Sequence, residues 1–183
     1  LKDYGFNGCR GFAAEKNEFT YNVLDDGTVE ITRYTGTDTQ ISIPSEIDGK
    51  LVTSIGDQAF INCTEITSVV IPEGVKKIGG YAFACCKNLE TIEIPNKVCV
   101  IEQDVFEYCD NLKTVKLSNN LVSIGEMAFF ECSSLENIII PDSVENIGYG
   151  AFEYCHSIES IEISSNVIEI DEGVIRRFFN ELP

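Results

Sequence analysis

Basic side chains are scarce, and histidine is scarcer still. In 183 residues there is a single histidine, His156, and 13 lysines and arginines face 30 aspartates and glutamates, a formal net charge of −17. A cysteine hydrolase needs a thiolate beside an imidazole, but His156 directly follows Cys155, and neighbours on a helical turn point their side chains in different directions. No Cys-x-x-Cys pair and no group of histidines offers ligands to a structural zinc, and no glycine loop with a lysine is present to cradle phosphate. Carboxylates abound, yet nothing singles out two at the separation a glycosidase requires. No catalytic residue, cofactor or metal is therefore expected. So acidic a field repels phosphate backbones and anionic lipid surfaces, which argues against nucleic-acid binding and membrane association. No run approaches the roughly 18 apolar residues of a membrane-spanning helix, so membrane insertion is not expected either. The charge is uneven, since from Ser118 onward 12 acidic residues face only Arg176 and Arg177.

What the chain does have is a period. Phe60, Phe83, Phe106, Phe129 and Phe152 recur every 23 residues, and so do Cys63, Cys86, Cys109, Cys132 and Cys155. Each phenylalanine follows Ala59, Ala82, Val105, Ala128 or Ala151, and Ile66, Leu89, Leu112, Leu135 or Ile158 comes three residues after each cysteine. Alternating pairs such as Ile92/Ile94 and Val115/Leu117 then end at Pro72, Pro95, Ser118, Pro141 or Ser164, and pairs such as Val98/Ile101 follow. A fixed period of this length marks a solenoid, in which one unit cannot bury its apolar side alone and stacked neighbours do so together.

Within a unit, Ala-Phe-x-x-Cys-x-x-Leu places side chains on one helical face and predicts a short helical turn, whereas the alternating pair has the period of a strand. Proline ends the strand because it cannot donate to a ladder. A second extended leg follows, and Gly56, Gly79, Gly125 and Gly148 are expected to turn the chain where other residues would be strained. Glu102 and Asp171 break that glycine column.

The unit I-x-I-P-x-x-V-x-x-I-G-x-x-A-F-x-x-C-x-x-L resembles the BspA-like leucine-rich repeat, found in surface and secreted proteins of bacteria and some parasitic protists. The resemblance implies a leucine-rich-repeat solenoid, a right-handed curved superhelix of stacked parallel strands with short helical turns. Residues 39–174 are assigned to it, as five full coils and a partial sixth. In the first coil, five extra residues between Pro44 and Ile55 are expected to bulge out as a loop. Residues 1–38 are read as a glycine-rich lead-in followed by a β-hairpin cap, because Phe19 to Gly36 alternates around Asp25-Asp26-Gly27. Residues 175–183 are expected to form a degenerate cap or a truncation. The chain has no initiator methionine and no signal-like apolar run at Leu1, as expected of a processed or trimmed secreted segment.

The column cysteines are read as small buried hydrophobes. Residues stacked in register lie about 4.8 Å apart with parallel side chains, whereas a disulfide wants converging Cβ atoms about 3.8 Å apart, so bridges along the column are disfavoured. Cys85 and Cys99 lie outside the column and are expected to be partly exposed; Cys9 falls in the lead-in. His156 is expected to be an exposed, variable position.

The outward positions of the main strands form the candidate ligand-binding face: Val70, Glu90, Glu93, Lys113, Lys116, Glu136, Ile139, Glu159 and Glu162. Lys113 and Lys116 are expected to pair with Glu90, Glu93 and Glu136 across neighbouring coils, a charge ladder that holds register. The same residues form a polar surface with apolar patches at Val70 and Ile139, suited to an extended protein or glycan. Together with the lack of catalytic constellations, the resemblance implies a secreted or cell-surface module for binding or adhesion, with a host or cell-surface protein or glycan as partner. The alternative is a non-catalytic spacer or targeting segment of a larger secreted or cell-wall-associated protein.

Overall fold

The computed structural model describes residues 18–159, 161, 163 and 165–170. The expectations for the lead-in before residue 18 and for residues 175–183 lie outside the described residues, as do Cys9 and Glu162. In chain order, a hairpin of β1 (Phe19–Val23) and β2 (Val29–Tyr34) precedes β3 (Gln40–Ser42), β4 (Glu46–Ile47) and β5 (Lys50–Ile55). From there two strand types alternate: β6 (Ser68–Val70), β8 (Thr91–Glu93) and β10 (Thr114–Lys116) with β7 (Lys77–Ile78), β9 (Val100–Ile101), β11 (Ser123–Ile124), β12 (Asn146–Ile147) and β13 (Glu169–Ile170).

The first type builds a parallel main sheet in the order β10-β8-β6-β3, and the bridge Thr114 to Asn137 carries the stacking one coil further. The second type runs β2-β5-β7 and then β9-β11-β12-β13. Between these layers lies the interior. Strand alternation buries the central residue of each main strand, Val69, Ile92 or Val115, and leaves its neighbours Val70, Glu93 and Lys116 outside.

The insertion in the first coil is itself a hairpin rather than an irregular loop. β4 pairs antiparallel with β5 through Asp48 and Gly49, at φ of 50° and 70°. Two left-handed residues in succession match the twist of the flanking strands, and Asp-Gly supplies them.

The Ala-Phe-x-x-Cys segment departs from expectation. Among the described residues it is a ribbon of tight turns and not a helix. Left-handed residues recur four apart, Gln58 and Asn62, Tyr81 and Cys85, Asp104 and Tyr108, Met127 and Glu131, then Gly150 and Tyr154, with φ between 50° and 63°. Amides of Ala59, Ile61 and Cys63 close local turns at 3.1–3.3 Å, while the intervening amides of Gln58, Phe60 and Asn62 donate to Gly80, Ala82 and Ala84 of the next coil at 2.7–3.0 Å. An α-helix would use its amides internally. A short coil that must stack at strand spacing instead shares half of them with its neighbour. The inward set is the one a helix would have given, so the spacing misled about backbone and not about burial.

The phenylalanines form a continuous stack through the core. Successive ring centroids lie 4.9, 5.6, 5.2 and 5.3 Å apart from Phe60 to Phe152, with interplanar angles of 16° or less. The hairpin extends this column, since Tyr34 stacks on Phe60 at 5.6 Å and Phe19 packs against both rings.

The glycine column has a different cause from the one expected. Gly56, Gly79, Gly125 and Gly148 are not left-handed; they are places where coils touch backbone to backbone. A Cβ on Gly125 would meet the Gln103 nitrogen at 2.7 Å, and one on Gly148 would meet the Glu126 nitrogen at 2.6 Å. Glu102 carries that forbidden Cβ. Gly79, Gly125 and Gly148 each donate to the preceding coil at 2.8 Å, whereas the described residues show no such bond from Glu102 and no pairing between β7 and β9. This seam coincides with the widest gap in the phenylalanine stack, Phe83 to Phe106.

Candidate ligand-binding face

Parallel in-register pairing turns each outward strand position into a row. Gln40, Ser68, Thr91 and Thr114 are consecutive partners; Ser42 pairs with Val70 and Glu93 with Lys116, and the pairing of Val69 with Ile92 brings these two pairs into one row. Glu90, Glu93, Lys113, Lys116, Glu136, Ile139 and Glu159 are all exposed, and Val70 and Ile139 retain 62% and 83% of their accessible surface. Glu162 is outside the described residues.

The charged rows pair in one direction only. Lys113 Nζ reaches Glu90 at 3.2 Å and Lys116 Nζ reaches Glu93, each pointing to the preceding coil. Glu136 takes no part in either pair. The hydrogen bond to Glu93, reinforced by the carboxylate charge, lifts the Lys116 ammonium above its ordinary value. A hollow of about 500 Å³ opens over this part of the face, with Ser68, Thr91 and Thr114 on one side and Val70, Glu73 and Lys116 on the other. Glu73 and Pro95, which also line it, were not among the sequence candidates. Their signal was the strand-ending position itself, where the chain bends around the end of the sheet.

The thiols lie elsewhere. Cys86, Cys109, Cys132 and Cys155 are buried, and each Sγ donates to the carbonyl of the phenylalanine in the preceding coil at 3.0–3.2 Å. Burial pushes the thiols of Cys86, Cys109 and Cys132 far above the ordinary range. Cys63, expected to be buried with the column, is only half-buried, because it heads the column with no repeat coil before it; Cys85 is half-buried, Cys99 is exposed, and all the described cysteines are unbridged. His156 is exposed, with its ring 6.1 Å from that of Tyr154.

Repeats of the BspA type leucine rich repeat region match residues 53–180 in six copies. The chain belongs to this BspA-type leucine-rich repeat family. Solved structures agree. A leucine rich repeat protein of T. pallidum is 30% identical at a TM-score of 0.79, the match covering 85% of this chain and 80% of that one. A leucine-rich repeat protein from Bacteroides ovatus is 35% identical at a TM-score of 0.75, covering 84% of this chain but only 41% of its own. A leucine rich cell surface protein from Faecalibacterium prausnitzii is 27% identical at a TM-score of 0.50, covering 84% of this chain and 55% of that one. None of the curated proteins matches significantly. BspA-type repeats are typically surface or protein-interaction modules, and leucine-rich repeat proteins are generally non-catalytic scaffolds.

Proposed function

We propose that the chain is an extracellular binding module that takes a protein or glycan ligand on the outward face of its main sheet. The observation that carries this reading is the pair of aliphatic side chains, Val70 and Ile139, held in solvent on an ordered, otherwise polar sheet. Water-exposed aliphatics on a rigid surface gain by being covered. The polar rows around them can orient a ligand, and the adjoining hollow can admit part of one. The cell-surface description of the F. prausnitzii neighbour supports the location.

The test is surface plasmon resonance of the purified chain against extracellular-matrix proteins, together with a glycan array. A binder found there is measured again with Lys113→Glu, Lys116→Glu, Glu90→Lys and Glu93→Lys combined, which keeps the net charge. Affinity is expected to fall by roughly tenfold or more, the loss of about 1.4 kcal/mol. Unchanged affinity would move the site off this face.

A further inference from the structure

The face sorts its charges in a way that specifies a ligand. Resting on the reading above, we propose that it takes an extended, cationic protein segment with two aliphatic side chains four residues apart, laid along the stack of coils. The pairing of Val69 with Ile92 and the bridge of Thr114 to Asn137 carry the register from coil to coil, so Val70 and Ile139 stand at equivalent positions of one row, with Glu93 and Lys116 between them. Those two intervening residues are bonded to each other and present a neutral pair. Coils stack about 4.8 Å apart, so three coils separate the two aliphatics by about 14 Å. An extended chain advances about 3.3 Å per residue, and four residues cover about that distance. An even step also returns both ligand side chains to the same side of their strand.

The sign of the ligand follows from what is left uncompensated. Three residues beyond Val70 and Ile139 stand the exposed carboxylates of Glu73 and Asp142. Glu136 and Glu159 are exposed on the same face, and none of these four lies within ion-pair distance of a cation among the described residues, although the charge of Glu73 also reaches Lys116, which Glu93 already neutralises. Each aliphatic contact is thus accompanied by an acidic one, so lysine or arginine beside the ligand's aliphatic residues is complementary at both ends. A second copy of this chain, at −17, is repelled. A neutral sugar would leave the carboxylates unanswered, and among the described residues the face offers no aromatic side chain for a sugar ring to lie on.

A phage-displayed random peptide library is panned on the whole chain, and enriched sequences are remade as synthetic peptides. Sequences rich in lysine or arginine with aliphatic residues at i and i+4 are expected. Val70→Ser with Ile139→Ser, or Glu73→Lys with Asp142→Lys, should each weaken binding by roughly tenfold. Glu126→Lys with Glu145→Lys, outside the face, should change it less than about threefold. Moving one aliphatic from i+4 to i+3 sends it to the other side of the peptide and should weaken binding as much as the serine pair. Failure to enrich such sequences, enrichment of acidic ones, or equal weakening by the control pair overturns the inference. Binding on the glycan array that the face variants abolish also overturns it, yet leaves the proposed function standing. Peptides indifferent to every face variant overturn both.

Discussion

Each of the four buried column thiols completes a small hydrogen-bonded unit. The carbonyl of Phe83 accepts the Cys86 amide at 3.2 Å from its own coil and the Cys109 Sγ at 3.2 Å from the next, so sulfur ties two coils at a buried point. Truncating Cys109 to alanine removes that tie and leaves a void, and chemical denaturation should show a loss of about 1–2 kcal/mol. In native buffer a thiol-reactive dye should label Cys99 and spare Cys86, Cys109 and Cys132 until the chain unfolds. The folded pKa values of those three are raised by burial, so their contribution to stability is complete below the unfolded thiol value of about 8.5 and declines above it. Denaturation midpoints should therefore fall from about pH 9 upward. Three thiols together give a limiting slope near 4 kcal/mol per pH unit. The sequence column announced burial correctly for Cys86, Cys109, Cys132 and Cys155 but not for Cys63, which is only partly buried. The carbonyl that receives each sulfur could not be read from it, because that depends on which amides the turn ribbon shares between coils.

The glycine column shows how one side-chain atom decides the pairing of an element. At Gly125 an added Cβ would run into backbone, which cannot move aside as a flexible side chain can, so Gly125→Ala should destabilise the chain by about 1–3 kcal/mol. Across the seam, the amide of Glu102 should exchange with solvent faster than those of Gly79, Gly125 and Gly148, measurable by hydrogen exchange. Glu102→Gly should slow it by restoring the bond to the β7 coil. That Glu102 broke a column was visible in the sequence. That the column exists for close approach and not for left-handed backbone was not, since glycine serves both ends and only the stacking distance separates them. Helix and turn ribbon were likewise confused because both send Phe, Cys and Leu inward, and differ only in where the amides point.

Over the whole molecule, the exposed ion pairs are minor beside the net charge. Each of the two lysine–glutamate pairs on the face contributes little, being largely in water. Unrelieved repulsion among an excess of 17 negative charges opposes compactness at every site, and salt weakens repulsion and pairs alike. Repulsion should dominate, so the thermal midpoint should rise as salt is added from about 0.01 M to 0.15 M. A fall would mean that the ladder of pairs governs instead. The solenoid architecture and the rows of the face were readable because a repeat forces equivalent residues into register. The direction of the pairs and the hollow beside Glu73 were not, since they depend on rotamers and on how coils bend around Pro72 and Pro95.

The seam at Glu102 has a bearing on that hollow. On the main-sheet side of the core, β6 and β8 stay paired through Ser68–Thr91 and Val69–Ile92, while on the other side the same two levels, β7 and β9, show no pairing. A pile wedged open at the back leans toward the front. Glu102, on the far side of the core, is thereby expected to set the curvature of the surface above Ser68 and Thr91. Replacing it with glycine should straighten the axis, shallow the depression, and alter the grip of the module from across its own interior.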